Sequence, residues 1–264
     1  MTSFLFCKYH HLGNDFLVFD DRKRRFPTGK KEIQRLCHRN LGMGCDGILL
    51  LQPSLTADFC MRIFNSDGTE ASSCGNGLLS IGKFCLDLGL FHDKVSIETL
   101  DKIVTLYTRN EKIALSMEKP YFQNRNHSLV LEGKEISFSW VHSGVPHVVI
   151  FEKNIDELPV EKLGRSLRHH PFFAPSGTNV NFACCQGTKI QVRTFERGVE
   201  KETLSCGTGA MAVAFVAFEN GWLSSPLKID FFHGSIEVSF AEKEVSMIGL
   251  PTFIGSGMVS LVEG

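Results

Sequence analysis

The chain has 264 residues, 43% of them hydrophobic and 22% charged, with a net charge of −1. Such a length suits two modest domains with ordinary cores, and so small a charge gives no basic field for nucleic acid and no attraction to a membrane surface. The nine cysteines include no C-x-x-C pair and the ten histidines lack zinc-ligand spacing, so neither a disulfide framework nor a metal is expected. Residues 1–6 are apolar but are followed at once by Lys8, His10 and His11, which fits no signal peptide or membrane span; a reducing cytoplasm is the expected compartment.

In chain order, residues 4–9 and 16–19 read as strands joined by a turn at 11–15. Asn14 beside Gly13 is, by itself, a turn residue. Residues 31–39 have helical spacing. Gly42-Met43-Gly44-Cys45-Asp46-Gly47 matches G-x-G-x-x-G, but a helix precedes it and a strand, 48–52, follows. That is the reverse of a dinucleotide site. A strand at 59–64 leads to a helix at 78–88 that ends on Gly89. Residues 94–100, 103–108 and 112–117 alternate as antiparallel strands. The stretch 117–126, with Pro120, reads as an irregular crossover between domains. Beyond it, strands at 136–141 and 147–151 flank Ser143-Gly144-Val145-Pro146-His147, where His147 reads as a structural histidine. A helix is expected over 155–169, a loop over 171–178 and strands over 180–186 and 190–195. The helix at 210–220 ends on Gly221 and is apolar nearly all round, which implies burial. Strands at 227–231, 235–240 and 244–248 precede a last apolar segment, 252–262. The pattern is α+β: two curled, mostly antiparallel sheets, each about a central helix.

One stretch occurs twice. Arg62, Phe64, Gly68, Glu70 and Ser73 lead into Cys74-Gly75-Asn76-Gly77; Arg193, Phe195, Gly198, Glu202 and Ser205 lead into Cys206-Gly207-Thr208-Gly209. The two cysteines lie 132 positions apart (206 − 74), half the chain, which points to two homologous halves. In each copy a strand, a polar loop and a Cys come just before a helix. Helix starts expose unpartnered N–H groups and partial positive charge, and they favour anions and thiolates. Two such starts suit a carboxylate flanked by two thiols. That is the chemistry of a two-base racemase, in which one group removes a proton from the carbon beside the carboxylate and the other returns it on the opposite face. The competing reading is a duplicated domain with two inert buried cysteines.

These residues resemble those of the diaminopimelate epimerase family over essentially the whole chain. The likeness rests on Gly13-Asn14-Asp15-Phe16, Phe64-Asn65 with Asp67-Gly68, Cys74-Gly75-Asn76-Gly77, Thr178-Asn179-Val180-Asn181-Phe182, Glu196-Arg197-Gly198 and Cys206-Gly207-Thr208-Gly209. The resemblance implies two pseudo-symmetric domains, 1–116 and 117–251, with a last strand at about 252–264 returning to the first and the active site in the cleft between them. It implies a cofactor-independent epimerase of LL- and meso-diaminopimelate in lysine and peptidoglycan precursor synthesis, with a small amino acid as substrate, a homodimeric assembly and no metal. It makes Cys74 and Cys206 the acid–base thiols and His147 and Glu196 the groups that tune them. Gly75, Asn76, Gly207 and Thr208 are then expected on the reacting carboxylate, Glu196 on its ammonium, and Asn14, Asn65, Asn179 and Arg197 on the distal end. Two departures stand out. The family usually has Asn where this chain has Val145, and some relatives carry a substrate-contacting Gln near Gly47. Both remove distal contacts, so relaxed specificity toward glutamate is expected. The alternatives are another cofactor-independent racemase, of glutamate or proline type, a non-catalytic amino-acid-binding protein, and last a thiol protease, which has no use for a duplicated Cys.

Overall fold

The computed structural model describes residues 2–109, 111–241 and 244–261. The chain divides into two compact units, residues 1–116 with 248–264 and residues 117–247.

The first unit contains β1 (Thr2–His11), β2 (Asn14–Asp20), α1 (Lys30–Cys37), β3 (Gly47–Gln52), β4 (Phe59–Asn65), β5 (Glu70–Ala71), α2 (Gly75–Asp87), β6 (Lys94–Glu98), β7 (Ile103–Arg109) and β8 (Lys112–Met117). Its terminal strand is Thr252–Leu261; residues 262–264 of the expected last segment lie outside the described residues. β1 pairs antiparallel with both β2 and the terminal strand. β2 runs parallel to β3, β3–β4–β5 is an antiparallel run, and β4 lies parallel to β6. β3 is buried on both faces, with Ile48, Leu49, Leu50 and Leu51 inaccessible. Strands in parallel contact need such covering on both sides. One cover is α1, which packs Ile33 and Leu36 against Leu17, Phe19, Ile48 and Leu50. α2 supplies buried Leu78, Leu79, Ile81 and Phe84.

The second unit repeats this topology. It contains β9 (Tyr121–Leu131), β10 (Lys134–His142), β11 (Pro146–Phe151), α3 (Val160–Arg168), β12 (Asn179–Gln186), β13 (Lys189–Glu196), β14 (Lys201–Thr203), α4 (Gly207–Glu219), β15 (Leu227–Phe231) and β16 (Gly234–Phe240); the division of the chain at 247/248 falls within β17 (Val245–Gly249). β11 runs parallel to β12, β12–β13–β14 is antiparallel, and β13 lies parallel to β15. These match the β2/β3, β3–β4–β5 and β4/β6 pairings of the first unit. Residues Gly209 to Ala217 of α4 are all buried, as its all-round apolar sequence requires.

Three expectations need correcting. Residues 117–126 are not an irregular crossover, because Tyr121 opens an eleven-residue strand paired with β10. Its Phe122 packs on Phe215 with ring centroids 4.9 Å apart, and Arg125 donates to the Glu219 carbonyl at the end of α4, capping it at 2.9 Å. The helix expected from 155 begins only at Val160. Pro159 is its N-cap residue, and the carbonyls of Ile155, Asp156 and Leu158 point instead at the Arg193 guanidinium. Finally, α2 and α4 begin three residues earlier than expected. The glycines of both C-G-x-G sequences therefore form the first helical turn rather than a loop before it. Among the described residues no helix is long and apolar enough to cross a membrane.

Candidate active site

The same device delivers each helix start. Arg62 on β4 grips Glu70 on β5 at 2.7 and 2.8 Å, and Arg193 on β13 grips Glu202 on β14 at 2.7 and 2.8 Å. Each is a two-pronged, charge-assisted pair that fixes the angle of a short hairpin. The chain leaves the hairpin extended, so that Cys74 (φ −153°, ψ 122°) and Cys206 (φ −134°, ψ 112°) become the N-cap residues of α2 and α4. The Arg and Glu of the repeated stretch are thus explained by geometry, a role that their spacing alone does not reveal.

In the first unit the Cys74 sulfur accepts from the Gly77 amide at 3.4 Å. Buried Asn76 follows, and a line of hydrogen bonds runs outward from it. His11 Nδ1 meets Asn76 Oδ1 at 2.8 Å, Asn76 Nδ2 donates to Asn14 Oδ1 at 3.4 Å, and Asn14 Nδ2 donates to Asp46 Oδ2 at 3.0 Å. Asp46 is held by Arg39, which also binds Asp15; Lys8 completes the cluster on Asp15. Arg39 and Lys8 hold the Asp15 carboxyl below its ordinary value against the opposing effect of burial. The orientation of each amide follows from the ends of the line. Asp46 as a carboxylate accepts, so Asn14 presents its nitrogen there and its oxygen to Asn76. Asn76 then presents its oxygen to His11, whose Nδ1 must carry the proton. His11 is 1% exposed, and burial lowers its pKa. Its Nε2 has no partner among the described residues and lies against Gly249. Asn65 stands apart from this line, at the end of β4, with its side chain on Thr69 at 3.1 Å.

In the second unit His147 is completely buried on β11, with Asn179 as its register partner on β12 and Asn181 two residues further along that strand. His147 Nδ1 lies 3.1 Å from Asn181 Nδ2, and His147 Nε2 lies 3.0 Å from the Thr208 hydroxyl, which lies 3.5 Å from the Cys206 sulfur. Burial, reinforced by the positive charge of Arg197 and by His142, pushes the His147 pKa down to about 3. It is a neutral imidazole at any ordinary pH, and no imidazolium is available to Cys206. Ser143 donates to the Thr208 carbonyl at 2.8 Å and holds the first turn of α4 in place. The Glu196 carboxyl accepts from Thr203 at 2.9 Å, and burial raises its pKa, so it keeps its proton to higher pH than an exposed glutamate. Asn179 is a staple: its nitrogen donates to the Pro146 carbonyl at 3.0 Å and its oxygen accepts from the Arg197 amide at 2.8 Å. The Arg197 guanidinium reaches the Ser176 carbonyl at 3.3 Å.

The sequence pattern of the diaminopimelate epimerase family matches residues 6–123 and 139–254. A diaminopimelate epimerase of Methanothrix thermoacetophila is 39% identical over 98% of this chain and 97% of its own length. The chain belongs to the diaminopimelate epimerase family. Proteins named diaminopimelate epimerase from Archaeoglobus fulgidus and Aquifex aeolicus are 36% and 35% identical, over 98% and 97% of this chain and 97% of each relative. The fold extends further than the family. A Bacillus anthracis protein of the PhzF phenazine-biosynthesis family superposes with a TM-score of 0.75 at 17% identity, over 99% of this chain and 100% of that one. A hydroxyproline epimerase from Agrobacterium vitis gives 0.70 at 16%, over 98% and 93%.

Val145 and Gly47, where the resemblance leads one to expect departures from the family, have the following surroundings. Val145 is half-buried, and its carbonyl accepts from the Ser143 amide at 3.1 Å, closing the turn before β11. Gly47 has no room for a side chain, since a Cβ there would lie 2.7 Å from the Phe64 carbonyl and 3.3 Å from the Phe16 ring. Two residues of these networks had no assigned role in the sequence. Asn181 lies inside the quoted Thr178–Phe182 stretch and His11 just before Gly13. No spacing rule singles out either, because their partners are on distant strands and helices.

Proposed function

We propose that this chain interconverts LL- and meso-diaminopimelate without a cofactor, with Cys74 and Cys206 as the acid–base pair. One observation carries the reading: in a chain matched to this family over nearly its whole length, both repeated cysteines are N-cap residues of topologically equivalent helices. One sulfur, as thiolate, takes the α-proton; the C–H bond breaks and its electron pair spreads into the carboxylate. The other, as thiol, returns a proton to the opposite face, so the centre inverts and the two sulfurs exchange protonation states. The first amides of α2 (Gly75, Asn76) and α4 (Gly207, Thr208) supply donors toward the carboxylate on which charge develops. Preorganised donors of this kind are usually the largest catalytic contribution. Glu196 receives the α-ammonium, while Asn14, Asn65, Asn179 and Arg197 bind the distal amino-acid end. A cytoplasmic role in lysine and peptidoglycan precursor supply belongs to the same reading.

The test is proton NMR in D₂O under reducing conditions, following the α-proton of LL-diaminopimelate with wild-type protein, Cys74→Ser and Cys206→Ser. Loss of the signal with formation of the meso isomer, absent in both variants, is the expected result. Inversion to the meso isomer that persists in either variant would show that the two thiols do not act as a pair.

A further inference from the structure

The networks around the two cysteines differ in kind. Cys74 receives a backbone N–H, whose direction cannot change. Cys206 makes no such side-chain cap bond and faces a hydroxyl instead. A hydroxyl can donate or accept, so its effect on a sulfur depends on what else it touches.

Those contacts can be followed hydrogen by hydrogen. Asn181 Nδ2 lies 2.9 Å from the Val148 carbonyl, and Asn181 Oδ1 lies 3.0 Å from the Thr194 hydroxyl. A carbonyl only accepts, so the Asn181 amide has one allowed orientation. The same Nδ2 sits 3.1 Å from His147 Nδ1. Its second hydrogen points there, so Nδ1 must be the bare, accepting nitrogen. His147 is neutral, and its single ring proton is therefore on Nε2, aimed at the Thr208 oxygen 3.0 Å away. The Thr208 hydroxyl accepts that bond, which leaves its own hydrogen available to the Cys206 sulfur 3.5 Å away. Packing reinforces the start of the line. A Cβ on Gly209 would lie 2.4 Å from Asn181 Oδ1, so only glycine lets α4 approach this amide.

We propose that Asn181 is a positioning residue: by fixing the tautomer of a neutral His147 it directs the Thr208 hydroxyl onto Cys206 as a donor and so favours the thiolate of that cysteine. This deepens the proposed reaction and rests on that reading for its catalytic meaning, though the hydrogen-bond line stands on its own geometry. It departs from a Cys–His ion pair, since His147 contributes a direction and not a charge. The charged or titratable groups acting on His147 are Arg197 and His142, and Glu196 is the buried carboxyl next to Arg197 in the chain. Hydrogen bonds that favour the charged form lower a thiol pKa. The residue after the first glycine of the two repeated sequences, Asn76 in one and Thr208 in the other, is where the halves part.

Two measurements test it on the full chain. ¹⁵N NMR of histidine-labelled protein, with His147 assigned by comparison with His147→Gln, reads the tautomer directly. The Nε2–H form at pH 7 is expected in wild type. An Nδ1–H form or an imidazolium overturns the proposal. The second is the pH dependence of iodoacetamide labelling at each cysteine, resolved by peptide mass spectrometry in wild type, Thr208→Val and Thr208→Ser. Thr208→Val should slow Cys206 labelling about tenfold below its inflection, the loss of one charge-assisted hydrogen bond. Cys74 should be unaffected, and Thr208→Ser should restore the wild-type profile. An unchanged Cys206 profile in Thr208→Val, or an equal change at Cys74, overturns the proposal. Neither readout needs turnover, so a protein that passes both yet exchanges no α-proton would refute the proposed reaction and leave the relay standing.

Discussion

Gly249→Ala tests the packing that orients Asn76. Gly249 has no positive φ to protect, so alanine is tolerated by the backbone. Through the unfolded chain it even stabilises, by about 0.4–1 kcal/mol. The obstacle is steric: a Cβ there would sit 2.3 Å from His11 Nε2, 2.8 Å from His11 Cε1 and 2.9 Å from a Leu79 methyl. Leu79 can shift its tip. The His11 ring is buried and tethered to Asn76 at 2.8 Å, so it must either strain or let go. Overpacking costs about 1–3 kcal/mol, and a buried amide oxygen left without its donor costs a similar ~1–3 kcal/mol. A net loss of about 2 kcal/mol is expected in urea unfolding followed by circular dichroism. The double-mutant cycle decides the cause. With the ring removed by His11→Ala, adding Gly249→Ala should cost nothing further, a coupling of about 2 kcal/mol between contacting residues. Additive losses, or a Gly249→Ala protein as stable as wild type, would refute the argument that this glycine exists to seat the ring.

Other expectations concern the proposed chemistry. Burial raises the Glu196 pKa, and a partnering ammonium would lower it again. Substrate binding should therefore release protons at pH values above the ordinary glutamate value of 4.5. Calorimetry in buffers of different ionisation enthalpy reads this release, and Glu196→Gln should abolish it; proton uptake would contradict the assignment. The sign for stability is the corresponding one. A carboxyl with a raised folded pKa costs stability as pH rises through that value, so Glu196→Gln should stabilise the unliganded protein at neutral pH and not in acid. Asp46→Ala frees the Asn14 amide, and the KM for diaminopimelate should rise about tenfold with kcat nearly unchanged, as for a lost uniform-binding contact; a selective fall in kcat would place Asn14 elsewhere. Val145→Asn should lower glutamate turnover relative to diaminopimelate turnover, and an unchanged ratio would remove the relaxed-specificity idea. The bell-shaped pH–rate profile of a two-thiol enzyme should contain no limb from His147, which is already neutral down to about pH 3.

The readability of the chain followed how local each signal was. Gly89 and Gly221 end their helices with φ of +66° and +69°, as two glycines after apolar runs suggest. The burial of α4 was legible because no polar residue interrupts it. β9 was hidden because its run Gln123-Asn124-Arg125-Asn126 looks like a loop. It is a strand because β10 offers it a ladder and α4 offers Arg125 a carbonyl. The start of α3 is hidden for a similar reason: a distant arginine on β13 competes for the carbonyls that a helix would use. In the candidate site the repeated cysteines and glycines are visible from spacing, and Thr208 enters through the family resemblance. Asn181 and His11 are not visible from spacing, since each matters through partners more than thirty residues away, at Val148 and Asn76.

The terminal strand Thr252–Leu261 completes the sheet of the first unit by pairing along nearly all of β1, from His10↔Thr252 to Thr2↔Leu261. Everything in the second unit is encoded between these two partners. On a ribosome adding about 5–20 residues per second, β1 therefore waits on the order of 12–50 seconds for its neighbour. The second unit emerges uninterrupted and can fold in that interval. Until then one side of β1 is an open edge carrying Phe4 and Phe6, which belong against the α1 core, and open apolar edges invite pairing with other chains. The nascent chain should accordingly depend on chaperones through its first unit, with release of the final strand as the step that ends the dependence.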